Sequence, residues 1–343
     1  MSEASTTAPG IVVSGMRPTA KLHLGNLLGA LRNWIRLQSD ERRCFFFVAD
    51  WHTLTTTSES EGLRERTRDM VIDWLAAGLD PERVVIFRQS AVKEHAELHL
   101  LLSMIIPTPW LLRNPTVKEQ ARDLGLIQTD DEAEMTKINY GHLGYPVLQA
   151  ADIIIYKAGA VPVGIDQAPH IEITREIVRR FNHLYRPVFP EPATLLTDIP
   201  KIPGTDGRKM SKSFNNAVYL SDSAKEVETK LSRMMTDPRR ARRTDPGDPN
   251  DCPAFNLHRI YCTPEEIVYV TNGCRSASIG CLECKHIMIK HVNAELAPLR
   301  ERRAELERQP QRVTDVLEHG GAHARTVARA TMAEVRAAMH LEE

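Results

Sequence analysis

Two polar segments that lie far apart in the sequence carry side chains suited to binding phosphate groups. In the first segment, Thr19, His23 and Asn26 surround the small residue Gly25, shortly after an apolar run. A helix that begins close to His23 offers free backbone N–H groups and the positive end of its dipole to an anion. His23 and Asn26 are three residues apart and fall on the same side of such a helix. Taken alone, the segment is also explained by a helix N-terminus with a surface histidine.

The second segment is a glycine-flanked loop that contains two lysines and two hydroxyl side chains. It consists of Lys209, Met210, Ser211, Lys212 and Ser213. A cationic loop of this kind suits a lid that closes over a polyphosphate and neutralises the charge of a leaving group. The alternative is a solvated basic turn, which is the commoner role of a lysine pair.

Short apolar runs alternate with stretches of helical periodicity through the first half of the sequence. The predicted strands are 11–14, 44–49, 84–87 and 160–163, and the clearest predicted helices are 24–35, 67–77 and 167–181. Repeated strand–helix units predict an α/β fold with a doubly wound parallel sheet of the Rossmann type and helices on both faces. Beyond about Ser221 the pattern is helical, which predicts a smaller α-helical domain after the sheet domain.

Together the two polar segments resemble the paired signatures of class I aminoacyl-tRNA synthetases, which usually read His-Ile-Gly-His and Lys-Met-Ser-Lys-Ser. The second signature is matched in full, whereas Leu24 and Asn26 vary the first, and Asn26 resembles the tryptophanyl branch. The resemblance to bacterial tryptophanyl-tRNA synthetases runs from about Val12 to Leu341. It implies activation of L-tryptophan with ATP and Mg²⁺ to tryptophanyl-adenylate and pyrophosphate, followed by transfer of tryptophan to tRNA(Trp).

The resemblance also implies roles for individual side chains in the ATP site. His23, Lys209 and Lys212 take the catalytic positions, with the two lysines closing on the leaving pyrophosphate. The implied ATP-binding residues are Arg17, Thr19, His23, Gly25, Asn26, Gly164, Asp166, Lys209, Met210, Ser211, Lys212 and Ser213.

A tryptophan pocket is implied around the segment 145–153, which resembles the substrate-pocket helix of the family. Asp152 is expected to accept the indole N–H, because indole is a large apolar ring with a single donor and one buried acceptor identifies it. A structural or helix-capping carboxylate is the alternative for Asp152. The implied tryptophan-binding residues are His52, Tyr145, Gln149, Asp152 and Gln167.

Four positions depart from the form that many relatives have. Val13, Arg17 and Gln149 replace Phe, Gln and Met, and Ile165 replaces a Glu, which removes a polar contact near the ribose. Three other functions stay open from the residues alone. They are a tyrosyl enzyme, a synthetase-like binding protein that has lost tRNA charging, and a nucleotidyltransferase of the same fold.

Four of the six cysteines form a compact metal-site pattern: Cys252, Cys274, Cys281 and Cys284. Four thiolates suit tetrahedral zinc or an iron–sulfur cluster, and spacing alone favours zinc. Some synthetases of this subtype carry a four-iron four-sulfur cluster on a similar pattern, so the resemblance favours the cluster. The first interval is one residue shorter than in that pattern, and Cys262 is therefore the alternative first ligand.

Composition and the resemblance together bound the organisation of the chain. A net charge of −1 excludes a uniformly basic RNA-binding surface, and no apolar run is long enough to span a membrane. The N-terminal residues lack the apolar centre of a signal peptide, which favours a cytoplasmic protein. We expect a flexible tail at 1–9, a catalytic domain at 10–205, an α-helical anticodon-binding domain with the cysteine site at 206–310, and C-terminal helices at 311–343 packed back on the catalytic domain. The family implies a homodimer.

Overall fold

A parallel sheet of five strands forms the centre of the molecule, which is a computed structural model that describes residues 10–38, 42–164, 168–196 and 202–342. The strands are β1 (Val12–Met16), β2 (Cys44–Val48), β3 (Val84–Arg88), β4 (Ala160–Val163) and β5 (Ala193–Leu196). Their order across the sheet is β3-β2-β1-β4-β5, and every neighbouring pair is parallel. The predicted Rossmann-type fold and its four predicted strands are confirmed, and β5 is an additional edge strand.

Helices cover both faces of the sheet and make up the structure described after it. They are α1 (Leu24–Asn26), α2 (Arg32–Leu37), α3 (Asp50–Leu54), α4 (Leu63–Ala77), α5 (Glu94–Ser103), α6 (Thr108–Leu112), α7 (Pro115–Asp123), α8 (Glu132–Met135), α9 (Tyr140–Ile154), α10 (Ala168–Leu184), α11 (Ala224–Ser232), α12 (Pro253–Tyr261), α13 (Pro264–Arg275), α14 (Cys281–Arg308) and α15 (Pro310–Ala338). A π-helical turn, Leu27–Leu31, joins α1 to α2, so the two form one continuous helical segment. None of the described helices is both long and apolar enough to cross a membrane.

The central strand β2 shows how the sequence builds two cores. All five of its residues are buried, as expected for a parallel strand that is covered on both faces. Its side chains alternate between the faces. Phe46 stacks on Trp34, with ring centroids 4.5 Å apart, whereas Phe45 stacks on Tyr156 on the opposite face at 4.8 Å. The sheet is therefore held between two aromatic-rich layers.

The strand order reverses direction at β1, and this point locates the functional site. The chain proceeds outward from β1 through β2 to β3, then returns to place β4 on the other side of β1. In a doubly wound sheet the carboxyl ends of the strands on either side of such a reversal leave a crevice. The segment that follows Met16 and the residue Gly164 after β4 both lie at this edge.

The last described helix, α15, packs directly against the edge strand β3. Gly320 makes this approach possible, because a Cβ at this position would lie 1.9 Å from the carbonyl oxygen of Ile86. Further along the helix, Ala328 and Met332 are fully buried in the same apolar layer as Phe45. The ion pair of Arg336 with Glu97 on α5, at 2.6 Å, adds a polar contact at the helix end. The C-terminal helix is therefore part of the sheet layer rather than of the helical region before it.

Candidate active site

The first polar segment forms a tight helix start directly after β1. His23 has extended backbone angles and precedes α1, as predicted from the sequence. Its backbone N–H donates to the side-chain oxygen of Asn26 at 3.0 Å, which leaves the amide N–H₂ of Asn26 available to a ligand. The His23 ring folds back over Gly25, where a Cβ would lie 2.9 Å from two ring atoms. Position 25 must therefore stay a glycine for the ring to keep this place.

The His23 imidazole is neutral and one of its nitrogens is unpaired. Burial and the nearby charge of Lys209 lower the pKa of His23 to about 4. Nδ1 is buried and has no hydrogen-bond partner among the residues that the structure describes. A buried nitrogen without a partner is rare in folded proteins and points to a ligand or an ordered water at this place.

Backbone pairing brings the two polar segments together. The backbone N–H of Leu24 donates to the carbonyl of Val218 at 2.9 Å, and that of Leu220 donates to the carbonyl of Leu22 at 2.9 Å. These two bonds form a short antiparallel bridge just after the lysine loop. The lysines therefore lie beside the helix start, although the two segments are far apart in the sequence.

A single buried amide fixes the lysine loop. The side-chain oxygen of Asn216 accepts from the backbone N–H of Ser211 at 2.8 Å. Its amide nitrogen donates to Asp206 at 2.7 Å and to the carbonyl of Lys209 at 3.1 Å. Asn216 is only 2% exposed, so its hydrogen bonds compete little with water. Met210 is also buried, in the hydrophobic core, and anchors the loop from below.

A cationic cavity of about 670 Å³ lies between the helix start and the lysine loop. Most of the predicted phosphate-binding side chains line it: Arg17, Thr19, His23, Asn26, Lys209, Ser211, Lys212 and Ser213. Within the described residues, neither Lys209 nor Lys212 forms an ion pair with a carboxylate. Arg17, Lys21, Lys209 and Lys212 line this cavity together with a single carboxylate, Asp123, so positive charge is in excess there.

A second, smaller cavity of about 360 Å³ adjoins the first at the point where the strand order reverses. Arg17 and Gln120 line both cavities, so the two are contiguous. Burial lowers the pKa of the Arg17 guanidinium from its ordinary value. The predicted pocket residues that line the second cavity are His52, Tyr145, Gln149, Asp152 and Gly164.

Asp152 lies at the bottom of the second cavity and is fully buried. One carboxylate oxygen is 2.5 Å from Nδ1 of His95, and the other is 2.7 Å from Nε2 of His52. The amide nitrogen of Gln89 donates to both oxygens at 2.9 Å. His95 is held in turn by the hydroxyl of Tyr156, which lies 2.6 Å from Nε2. Four donor contacts thus meet a carboxylate that has about four acceptor positions.

These contacts keep the Asp152 carboxylate ionised although it is buried. Burial alone would raise the pKa of the carboxyl, but the hydrogen bonds from His52 and His95 outweigh it and hold the pKa at about 2. On the opposite wall, burial raises the pKa of the Tyr145 phenol well above its usual value, and the hydroxyl lies 3.2 Å from Nε2 of His170. The pocket therefore contains one fixed negative charge and one neutral phenol.

Most of the predicted site residues line one of the two cavities, but sequence reasoning missed the groups that support them. Gln89, His95 and Asn216 were not predicted. Gln89 follows β3 directly, so the rule that strand ends meet at one edge could have found it. Gly25 and Met210 support the site without lining either cavity, and Asp166 and Gln167 lie outside the described residues.

None of the six cysteines, all of which lie in the part of the chain that the structure describes, forms a disulfide, and they fall into different environments. Burial raises the pKa of Cys284 to about 12, with further increases from the charges of Cys252, Cys274 and Cys281 and a last one from Cys262. Burial also raises the pKa of Cys252 and Cys274, and each of them is raised further by Cys281. These four thiols are thus close neighbours. Cys262 instead lies beside Glu266, and burial raises its pKa to about 11.

Known proteins match both the sequence and this arrangement. A family profile described as tRNA synthetases class I (W and Y) matches residues 5–297. The tryptophan–tRNA ligase of Thermotoga maritima is 52% identical over 332 residues, which cover 96% of this chain and 99% of that protein. The chain belongs to the class I tryptophan–tRNA ligases.

Two further relatives of this ligase agree along nearly the whole chain. The tryptophan–tRNA ligase of Aquifex aeolicus is 46% identical over 394 residues, which cover 96% of this chain and 99% of that protein. The crystal structure of tryptophanyl-tRNA synthetase from Campylobacter jejuni, complexed with ADP and tryptophan, has a TM-score of 0.84 at 29% identity. The structural match covers 96% of this chain and 99% of the Campylobacter jejuni chain. The predicted family and ligase class are confirmed, and the nucleotidyltransferase alternative is wrong.

Proposed function

We propose that this ligase activates L-tryptophan with ATP in the two adjoining cavities and then transfers the tryptophan to tRNA(Trp). The observation that carries the proposal is their junction at Arg17. On one side is a cationic cavity whose loop lysines form no ion pair with a carboxylate of the described residues. On the other side is a smaller cavity with a single buried carboxylate. An amino acid in the second cavity and a nucleotide in the first would meet at this junction.

In the first half-reaction, a carboxylate oxygen of tryptophan attacks the α-phosphorus of ATP. The bond from that phosphorus to the bridging oxygen breaks, and pyrophosphate leaves. The protein contributes mainly positioning and charge neutralisation. Thr19, His23 and Asn26 would hold the phosphates, and Lys209 and Lys212 would balance the charge of the departing pyrophosphate. Mg²⁺ would accompany ATP, since Mg²⁺ is usually bound through substrate phosphates. Gly164 and Asp166 are the proposed contacts of the ribose.

Indole recognition requires a change in the hydrogen bonds of Asp152. Because its acceptor positions are filled, the indole N–H has to replace one of the present donors. Gln89 and His95 are fully buried, whereas the His52 ring lines the cavity. We therefore propose that tryptophan displaces His52 from Asp152 and keeps the other two donors. Tyr145, Gln149 and Gln167 are the proposed contacts for the rest of the amino acid.

In the second half-reaction, a hydroxyl of the terminal ribose of tRNA attacks the carbonyl carbon of the adenylate and releases AMP.

We propose residues 10–205 as the catalytic domain, 206–310 as the anticodon-binding domain and 311–343 as a segment that returns to the catalytic domain. Arg242 and Arg243 are exposed beside an open cavity near Cys281, and guanidinium groups pair well with phosphate. The working form would be a cytoplasmic homodimer.

We propose that Cys252, Cys274, Cys281 and Cys284 hold a four-iron four-sulfur cluster with a structural role. The assignment is supported by the mutual increase of their pKa values, because a bound cation would offset the repulsion between grouped thiolates. Zinc at ~2.3 Å from each sulfur needs sulfurs ~3.8 Å apart. No three of these four thiols lie within 4.8 Å of one another in the described chain. The wider spacing favours the larger cluster over zinc. Cys252 is preferred as the first ligand because its charge raises the pKa of both Cys274 and Cys284, whereas Cys262 acts on Cys284 alone among the four. Four iron and four sulfide per chain in protein purified without oxygen would support this assignment.

The proposed reaction is tested by amino-acid-dependent exchange of pyrophosphate with ATP, with each of the twenty amino acids offered separately. Exchange with tryptophan alone is the expected result. Exchange with tyrosine instead would contradict the proposed pocket, although the class of reaction would stand. No exchange with any amino acid, in protein that binds ATP, would favour a synthetase-like protein without ligase activity.

A further inference from the structure

Three potential metal ligands outside the four-cysteine group converge on one point of the helical region. They are the thiol of Cys262, a carboxylate oxygen of Glu266 and a ring nitrogen of His291, and all three atoms lie within 4.8 Å of one another. Cys262 follows the last residue of α12, Glu266 lies in the first turn of α13, and His291 lies on α14. Three helices therefore each contribute one ligand type that divalent transition metals bind.

Local structure fixes two of the three side chains before any ion binds. Thr263 and Glu266 form a reciprocal cap at the start of α13, in which the backbone N–H of Thr263 donates to Glu266 at 2.9 Å. The two oxygens of Glu266 lie 2.7 Å and 3.0 Å from Nε2 of His291. The backbone N–H of Cys262 donates to the carbonyl of His258 at 2.9 Å, which holds the thiol at the end of α12.

We propose that Cys262, Glu266 and His291 form a binding site for one divalent transition-metal ion, with Zn²⁺ as the best match. A thiolate, an imidazole and a carboxylate together favour zinc over Mg²⁺ or Ca²⁺, which prefer oxygen ligands alone. The side chains of His291 and Glu266 are 28% and 31% exposed, so water can reach the site and supply a fourth ligand.

The geometry needs only a small adjustment to accept the ion. Nitrogen and oxygen ligands at ~2.0 Å from a tetrahedral zinc lie ~3.3 Å apart. The present separation of 2.7 Å between Nε2 of His291 and Glu266 is therefore too short by about half an ångström, and a small rotation of either side chain corrects it. An ion pair of His291 with Glu266 explains two of the three residues without a metal. It does not explain the thiol of Cys262 at the same point.

This site is separate from the proposed iron–sulfur site. The thiol of Cys262 lies within 4.8 Å of ligand atoms of Glu266 and His291, and this group contains none of the four cysteines Cys252, Cys274, Cys281 and Cys284. A zinc ion at this position would join the end of α12 to α13 and α14 next to that group. Its expected effect is to hold the three helices together, independently of the ligase reaction.

The test is a count of zinc bound to the full-length protein. Protein treated with EDTA and desalted is equilibrated with micromolar Zn²⁺, and the bound metal is measured by mass spectrometry. The wild type is expected to bind one zinc more than either Cys262→Ser or His291→Gln. His319→Gln changes an exposed histidine on α15 and should bind as much zinc as the wild type. Thermal unfolding of each variant in EDTA establishes that it is folded before its zinc is counted.

Two outcomes would overturn the proposal. The first is a wild type that binds no zinc under these conditions. The second is zinc that stays bound to folded Cys262→Ser and folded His291→Gln but is lost in Cys252→Ser, which would assign the ion to the four-cysteine group. Neither outcome depends on whether the protein charges tRNA, so a failure of the proposed function would be seen separately.

Discussion

The two adjoining cavities meet the same requirement, recognition of a polar group, in opposite ways. In the smaller cavity the acceptor positions of Asp152 are filled by protein donors, and the carboxylate is held rigidly before a ligand arrives. In the larger cavity, Nδ1 of His23 has no hydrogen-bond partner and the two lysines of the loop have no carboxylate partner among the residues that the structure describes. In the proposed function, a single N–H would be recognised by a preformed acceptor, whereas a polyphosphate would be recognised by an excess of positive charge.

The comparison is tested most strongly at Asp152. Asp152→Asn replaces an acceptor by a donor that faces Gln89 and the two histidines, so we expect kcat/KM for tryptophan to fall by about 1000-fold. The KM for ATP should change by less than about threefold, because the phosphate cavity is intact. Pyrophosphate exchange at varied tryptophan and ATP gives both values. An equal loss of affinity for both substrates would show that the two cavities are not separate in function.

A change in the lysine loop should affect rate rather than tryptophan binding. We expect Lys212→Ala to lower kcat for pyrophosphate exchange by about 100-fold, because the charge of the leaving group is no longer balanced. The KM for tryptophan should stay within about twofold. Lys225→Ala, in an exposed position of α11, is the matched control and should behave as the wild type. A large rise in the KM for tryptophan with unchanged kcat would show that Lys212 acts on tryptophan binding and not on the leaving group.

Substitution of His52 and of His95, which both contact Asp152, should have different effects on tryptophan binding. His95→Ala removes a buried donor that the ligand cannot replace, so the KM for tryptophan should rise about 10-fold with little change in kcat. His52→Ala removes the donor that tryptophan displaces, and its KM should stay within about threefold of the wild type. His95→Asn, which keeps a donor, should recover part of the loss. If His52→Ala proves as damaging as His95→Ala, tryptophan does not replace the His52 contact.

The smallest expected effect is the pH dependence that comes from His23. Its pKa is lowered from 6.5 to about 4, so the folded protein excludes a proton that the unfolded chain binds between these values. The contribution of the neutral His23 ring to the stability of the fold is complete above pH 6.5 and is lost as the pH falls towards 4. Between pH 6.5 and pH 4, the Tm of His23→Asn should therefore fall by about 2 °C less than the Tm of the wild type. Parallel Tm curves for the two proteins would contradict the burial of a neutral imidazole.

The sequence predicted what depends on local pattern. The start of a helix near His23 follows from an apolar run, a small residue and a change of periodicity, all within fifteen residues. The lysine loop was recognisable because its chemistry lies in consecutive residues. The contacts of Asp152 were not predictable in this way, since Gln89 and His95 are 63 and 57 residues from it in the sequence. Only the folded sheet brings them to one carboxylate.

Other differences have similar physical causes. The edge strand β5 was missed because it is only four residues long and none of them is buried, so its sequence lacks the longer apolar run that marks the inner strands. Asn216 was missed because an asparagine in a loop is usually a turn residue. Its role depends on its being enclosed by the loop that it supports, which is a property of the fold rather than of the local sequence.

The packing of α15 on β3 has a consequence for the synthesis of the chain on a ribosome. All residues that line the two cavities precede α11 in the sequence. The apolar layer that contains Phe45, however, is completed only by Ala328 and Met332. The nascent chain therefore carries every residue of the two cavities for some time before its sheet is covered. During that interval the edge of β3 is open to pairing with other nascent chains. A shortened chain that lacks α15 would leave this edge exposed, and we expect it to aggregate more readily than the full chain.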